Sequence, residues 1–166
     1  MASASAGVPS AGYELPLLLF GGFRAIIDEL HAELARRGHP DLRPAHGFAM
    51  QAIGLHGATA TEVGRRLGIS KQAAGKTIER LEAIGYATRA GDAADRRRKL
   101  VRLTPRGIGA LAQSAAIFAE IRSRWAQELG PGRVEDLEAS LRQMVPDGTF
   151  RLDVPGWLGT SYLTGA

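Results

Sequence analysis

Two helix starts and one glycine stop fall inside a single twelve-residue run, TATEVGRRLGIS, from Thr59 to Ser70. Thr59 and Glu62 have the spacing of a capping box, in which hydroxyl and carboxylate each satisfy a free backbone amide. A short helix through Val63 and Leu67 comes next, and Gly68 closes it as a C-terminal glycine. Ile69 is apolar, and Ser70 is a good N-cap for the next helix. That helix is expected to run to about Ile84 and end at Gly85, with Ala74, Ile78 and Leu81 as its buried stripe. Few arrangements fit two helices joined by three residues. A helix-turn-helix does, and so does an ordinary helical hairpin with a polar outer face.

The segment after the second helix separates these two arrangements. Two short strands are expected, Tyr86 to Ala90 and Lys99 to Leu103, joined by the polar loop Gly91-Asp-Ala-Ala-Asp-Arg-Arg-Arg98. Arg96, Arg97, Arg98 and Lys99 then sit together at a hairpin tip, where four adjacent cations repel one another unless an anion neutralises them. Asp95 is placed to hold a neighbouring guanidinium in one orientation. An arginine on such a tip suits the narrow, negative minor groove of DNA.

Charge distribution agrees. The chain has 166 residues and a net charge of +4. Residues 65–102 carry 11 Lys and Arg against 4 Asp and Glu, while the remainder is net −3. All three lysines, Lys71, Lys76 and Lys99, lie in that stretch. A local basic field of this kind is an electrostatic footprint for phosphate. In a helix-turn-helix the start of the second helix meets base edges in the major groove. The residues there are Ser70, Lys71, Gln72, Ala73, Gly75 and Lys76. The Gln72 amide can pair with adenine, and the lysines can reach guanine or phosphate. Arg80, on the outer face of the same helix, and Arg89 complete the candidate basic surface.

Helices flank this unit. From Glu14 to about Arg37 apolar residues recur at steps of three and four: Leu15, Leu19, Phe23, Ile26, Ile27, Leu30 and Leu34. Leu17, Leu18 and Phe20 fall off that stripe. A helix apolar on more than one side is buried on more than one side, which in a small protein implies a second chain. Gly21-Gly22 permits close packing or a kink. Another helix is expected to start at Pro44 and stop before Gly57. Thr104-Pro105 opens a long helix to about Leu129, lined by Ile108, Leu111, Ala115, Phe118, Ile121, Trp125 and Leu129. Gly130-Pro131 breaks it, and a last helix carries Val134, Leu137, Leu141 and Met144.

Three segments closely resemble the MarR family of winged-helix regulators: TATEVGRRLGIS (59–70), IERLEAIGYATR (78–89) and DAADRRRKLVRLTPRG (92–107). The wing's Asp-x-Arg appears as Asp95-Arg96-Arg97, and the Leu-Thr-Pro-x-Gly exit as Leu103 to Gly107. The resemblance covers about residues 13–146. It implies a mainly α fold with a small β-hairpin wing: a winged helix-turn-helix with N- and C-terminal dimerisation helices that interlock in a homodimer. It implies recognition helices that read a pseudo-palindrome in double-stranded DNA, and a wing arginine in the minor groove, here Arg97 supported by Asp95. It also implies a small effector, often aromatic or phenolic, held between the dimerisation helices and the DNA-binding lobe. Gly75 departs from the Ser or Thr that the family often has there, which affects the choice of operator sequence.

The expected organisation is a disordered N-terminal segment (1–12), one domain (13–146) and a C-terminal tail (147–166). Within the domain, the DNA-binding lobe spans about 42–104, and the dimerisation helices span 14–37 and 105–145. The tail is too apolar for a solvated linker, with Phe150, Leu152, Val154, Trp157 and Leu158, and is expected to drape over the body or a partner. The absence of cysteine removes disulfides, thiolate zinc sites and thiol redox sensing. It also fits a reducing cytoplasm. The longest apolar run, Leu15 to Phe20, is too short to span a bilayer. His31, His39, His46 and His56 show no zinc spacing, and capping or surface roles outweigh a metal at His39, Asp41 and His46. No cofactor loop or catalytic constellation appears, so neither a cofactor nor an enzyme is expected. Trp125 and Phe23 are candidates for a ligand cavity, although aromatics at helical spacing more often belong to a core. The main reading is a ligand-responsive repressor. The alternative is a winged-helix module for protein or ligand binding without operator specificity.

Overall fold

The computed structural model describes residues 12–91 and 99–144. Six helices and one hairpin occur in the order α1 (Glu14–Arg36), α2 (Pro44–Ile53), α3 (Ala60–Leu67), α4 (Lys71–Ala83), β1 (Ala87–Gly91), β2 (Lys99–Leu103), α5 (Pro105–Leu129) and α6 (Arg133–Met144). The hairpin tip with Asp95, Arg96, Arg97 and Arg98 lies outside the described residues, as do the N-terminal segment and the tail.

Local chemistry sets most element ends. The Thr59 hydroxyl accepts from the Glu62 amide at 3.2 Å, and the Glu62 carboxylate accepts from the Thr59 amide at 2.7 Å. Ser70 caps α4 by accepting from the Ala73 amide at 3.1 Å, and Thr104 caps α5 through the Gly107 amide at 3.2 Å. Gly68 and Gly85, with φ +68° and +82°, each close a helix by paired backbone bonds. The Ile69 amide donates to the Gly64 carbonyl, and the Tyr86 amide to the Leu81 carbonyl, both at 2.9 Å. That second bond explains why β1 begins at Ala87 rather than at Tyr86. Tyr86 still belongs to the exit of α4.

The strands pair antiparallel, from Ala87 opposite Leu103 to Gly91 opposite Lys99. Val101 and Leu103 face inward while Arg102 faces solvent, as the two-residue period requires. A second pairing goes beyond the expected hairpin: Ala58 exchanges both backbone bonds with Val101, at 3.0 and 2.9 Å. Gly57 makes it possible. Its φ is +82°, and a Cβ there would stand 2.6 Å from the Val101 carbonyl oxygen.

One core joins the two halves. Ala49, Met50, Ile53, Val63, Ala74, Ile78, Leu81, Tyr86 and Val101 are buried in the lobe, continuous with Leu30 and Leu34 of α1 and Ala110, Leu111, Ile117 and Ile121 of α5. At about 1.5 Å per residue, the 25 residues of α5 extend about 37 Å. Its buried line differs in part from the expected one: Ala110 and Ile117 are buried, whereas Leu129 is exposed. Ion pairs fasten the long helices. Arg37 of the α1 C-cap meets Glu120 of α5 at 3.0 Å, and Arg122 of α5 meets Glu135 and Glu138 of α6 at 2.9 and 2.7 Å.

The apolar stripe of α1 is buried only from its middle onward. Leu30 and Leu34 are in the core and Ile26 and Ile27 pack against it, but Leu15, Leu19 and Phe23 are exposed together with Leu17, Leu18 and Phe20. The helix runs unbroken through Gly21-Gly22. A Cβ at Gly22 would make only ordinary contact with Trp125, at 3.9 Å.

Candidate nucleic-acid interface

The α3–α4 pair is held at close range by a missing side chain. A Cβ on Gly64 would stand 2.9 Å from the Ile69 carbonyl oxygen and 3.3 Å from that of Ser70, so the turn folds back directly onto α3. Val63 of α3 and Ala74, Ile78 and Leu81 of α4 are fully covered. Burying that side turns the opposite face of α4 to solvent, with Ser70, Lys71, Gln72, Ala73, Lys76, Glu79 and Arg80 exposed and Gly75 half-buried. Neither Lys71 nor Lys76 has an anionic partner among the described residues. Their charge is therefore free to meet a phosphate.

Arg89 differs from the other sequence candidates. From β1 it reaches Glu82 at 3.2 Å and Glu79 at 3.7 Å, both on α4. Its charge is matched within the chain, and the pairs tie the base of the hairpin to the helix beside it. Lys99, the first residue of β2, is exposed at the far end of the hairpin from Leu103. Asp95, Arg96, Arg97 and Arg98 fall outside the described residues.

Three more cations lie on the neighbouring elements α3 and β2. Arg65 in the last turn of α3 and Arg102 on β2 are exposed. Arg66 donates to the Ala52 carbonyl at the end of α2, binding α2 to α3. All three lie within the basic stretch 65–102. Charge density alone does not tell which of its members point outward and which are spent on structure.

Where the lobe joins the long helices, buried polar groups make a bridge. His39 Nδ1 lies 2.8 Å from the Tyr86 hydroxyl, and its Nε2 lies 3.2 Å from the Gln113 amide nitrogen of α5. The Arg106 guanidinium stacks 4.8 Å over the Tyr86 ring. Burial, then the Arg106 charge, holds His39 below its ordinary pKa. Tyr86 also fixes the start of α5: its carbonyl oxygen would be 2.2 Å from a Cβ on Gly107. His46 accepts from the Arg43 amide at 3.2 Å, and burial, Arg80 and Arg43 lower its pKa in that order. These histidines are thus structural hydrogen-bonding groups. Among the described residues no cluster of His, Asp and Glu suits a metal ion.

A small cavity, about 40 Å³ in volume, lies between α1, α2 and α5. Its aromatic lining comes from Phe48 and Phe118. The sequence candidates Phe23 and Trp125 are elsewhere: Phe23 is exposed on α1, and Trp125 packs against the core. Among the described residues no helix is long and apolar enough to cross a membrane.

The MarR family model matches residues 41–98, from the α1–α2 connection through the hairpin loop. No curated protein matches the chain in sequence. Solved structures do match in fold. The reduced form of MarR from E. coli is 22% identical, covers 86% of this chain and 100% of its own, and superposes with a TM-score of 0.67. A mutant of S. aureus MepR bound to an oligodeoxyribonucleotide is 21% identical, covers 81% of this chain and 96% of its own, with a TM-score of 0.57. The transcriptional regulator Tm0710 from Thermotoga maritima is 22% identical, covers 80% and 92%, and also scores 0.57. Residues 41–98 are thus similar to the MarR family, and the described chain, a winged helix-turn-helix set between long flanking helices, is similar in fold to these regulators.

Proposed function

We propose that this chain is a homodimeric transcriptional repressor that binds a pseudo-palindromic operator in double-stranded DNA and is released by a small molecule. The observation that carries the reading is the outer face of α4, where Lys71, Gln72 and Lys76 are exposed and the two lysines have no anionic partner among the described residues. A helix N-terminus that presents an amide and two free cations suits base edges and phosphates in a major groove. The basic hairpin beside it supplies Arg97 for the minor groove, with Asp95 as its support. Ser70, Ala73, Gly75, Arg80, Arg96, Arg98 and Lys99 complete the contact surface, and Arg65 and Arg102 extend it along the phosphates. Arg89 acts there through Glu79 and Glu82, as a brace for the hairpin. The MepR mutant of the same fold bound to an oligodeoxyribonucleotide supports DNA as the partner.

The uncovered apolar residues of α1, with Leu137 and Met144 of α6, support dimerisation through the two ends of the chain. Two copies then present two recognition helices, and their spacing is the regulated quantity. The cavity between α1, α2 and α5 is the effector site in this reading. At about 40 Å³ it is smaller than the roughly 150 Å³ that accepts benzene in an engineered core. An aromatic effector must therefore push α2 away from α1 and α5 to enter. It then favours the opened arrangement, and a ligand shifts an equilibrium only through such a difference in affinity.

Selection of bound sequences from a random DNA pool tests the reading. The expected result is an enriched pseudo-palindrome with half-site centres about one helical turn, roughly 34 Å, apart. Weak, salt-sensitive binding with no enriched sequence, repeated across candidate effectors, would instead support a winged-helix interaction module.

A further inference from the structure

The cavity wall has a chemistry of its own, and it restricts the effector. Most of it is hydrocarbon, from residues such as Leu30, Leu34, Leu42, Met50 and Phe118. Its polar side chains are His31, Gln51 and Ser114. The Ser114 hydroxyl spends its proton on the Ala110 carbonyl at 2.8 Å, leaving only acceptor capacity. His31 Nδ1 and Gln51 Oε1 are buried and have no hydrogen-bond partner among the described residues. Buried polar atoms without partners are uncommon in native structures, and each is costly to keep dry.

His31 is held as a neutral ring, because burial and then the Arg43 charge oppose its protonation. A neutral imidazole carries one proton, and the Leu42 backbone attracts it as a hydrogen-bond acceptor. The unpartnered nitrogen is then a lone pair. All three polar groups of the wall thus offer acceptors, and the Gln51 amide also carries N–H donors. No Lys or Arg lines the cavity. Arg43, whose charge acts on His31, already donates to the carbonyls of Pro40 and Leu42 at 2.9 and 2.8 Å.

We infer that this cavity selects an uncharged, ring-sized molecule that carries an N–H or O–H donor, and rejects carboxylates. The inference rests on the proposal that the cavity is the effector site. A donor entering between α1 and α2 satisfies acceptors that are unpartnered in the empty site. A carboxylate brings two more acceptors and a charge into a wall without a cation, at the full cost of its desolvation.

Isothermal titration calorimetry on the full-length protein tests this with three probes. Indole has an N–H donor, benzofuran has nearly the same shape without it, and benzoate is an anion. Indole is expected to bind at least about tenfold tighter than benzofuran, the scale of one satisfied buried group. Benzoate is expected to be weakest. In Gln51→Met the preference for indole over benzofuran narrows, and in Ser114→Val, which adds bulk to the wall, both lose affinity. Equal binding of indole and benzofuran, or tighter binding of benzoate, overturns the donor selection and leaves the effector site standing. Binding that is unaffected by either substitution overturns the location. No binding by any probe overturns site and selection together.

Discussion

The winged helix-turn-helix lobe and the outer end of α1 are built from similar apolar residues but end in opposite states. In the lobe, Val63, Ala74, Ile78, Leu81 and Val101 are almost completely covered by the chain itself. On α1, Leu17, Leu18 and Phe20 remain 63%, 65% and 62% exposed. The lobe completes its own core, whereas the first turns of α1 present a surface that the described residues leave uncovered. Contiguous exposed apolar surface of this kind marks an interface. In the proposed repressor the difference divides the labour: the closed lobe would hold a rigid reading face, and the open end would fix where a second one stands.

The comparison breaks most visibly by charging the open end. Leu18→Glu is expected to weaken dimerisation on the order of a hundredfold, through the cost of an unpaired charge in an apolar interface. The lobe's own fold should survive. Sedimentation equilibrium with circular dichroism reads both, and an unchanged dimer would remove α1 from the interface. The closed lobe should instead respond to volume. Gly107→Ala forces a Cβ to within 2.2 Å of the Tyr86 carbonyl oxygen, so a loss of about 2 kcal/mol or more is expected in chemical denaturation. A loss below half of that would mean α5 is free to shift from Tyr86.

Smaller effects sharpen the reading face. Arg97→Ala should weaken operator binding several-fold while leaving the dimer intact, and unchanged affinity would remove the wing from the mechanism. Lys76→Ala should reduce the slope of log affinity against log salt by about 0.9, the share of one phosphate. An identical slope would show that Lys76 does not meet phosphate. Gly75→Ala has open space at its Cβ and should stabilise α4 by up to ~1 kcal/mol, the opposite sign to Gly107→Ala.

Protons provide the mildest probe. Burial lowers the pKa values of His31, His39 and His46 from the ordinary 6.5. His31 also meets Arg43, His46 and Asp28, His39 meets Arg106, and His46 meets Arg80 and Arg43. As pH falls below about 6.5 the unfolded chain takes up protons that the folded chain resists, so stability declines toward acid. Above that value their contribution is complete. Thermal melts between neutral and mildly acidic pH should show a falling Tm. His39→Gln should flatten part of that slope, and an unaltered slope would assign it to other groups.

Helix starts are legible in the sequence because caps are local: Thr59, Ser70 and Thr104 each sit three residues from the amide they satisfy. The hairpin and the recognition face come from short-range punctuation and charge. Long-range pairings are not legible. The Ala58–Val101 bridge joins positions far apart in sequence, and nothing local marks Ala58 as a pairing residue. The His39–Tyr86–Gln113 bridge unites three elements for the same reason. Periodicity singles out Phe23 and Trp125 rather than the aromatics that line the cavity between α1, α2 and α5, because α1 and α5 carry apolar residues on several sides and it cannot say which side meets α2. Phe118 lines the cavity, while Trp125, two turns further along α5, packs against the core.

The most direct test is the mass of the complex formed with a selected duplex, measured by native mass spectrometry beside the Leu18→Glu variant. Two chains per duplex are predicted for the native protein, with loss of both the dimer and tight operator binding in the variant. One chain per duplex, at an affinity that Leu18→Glu leaves unchanged, would contradict the pairing of a closed reading lobe with an open dimerising end.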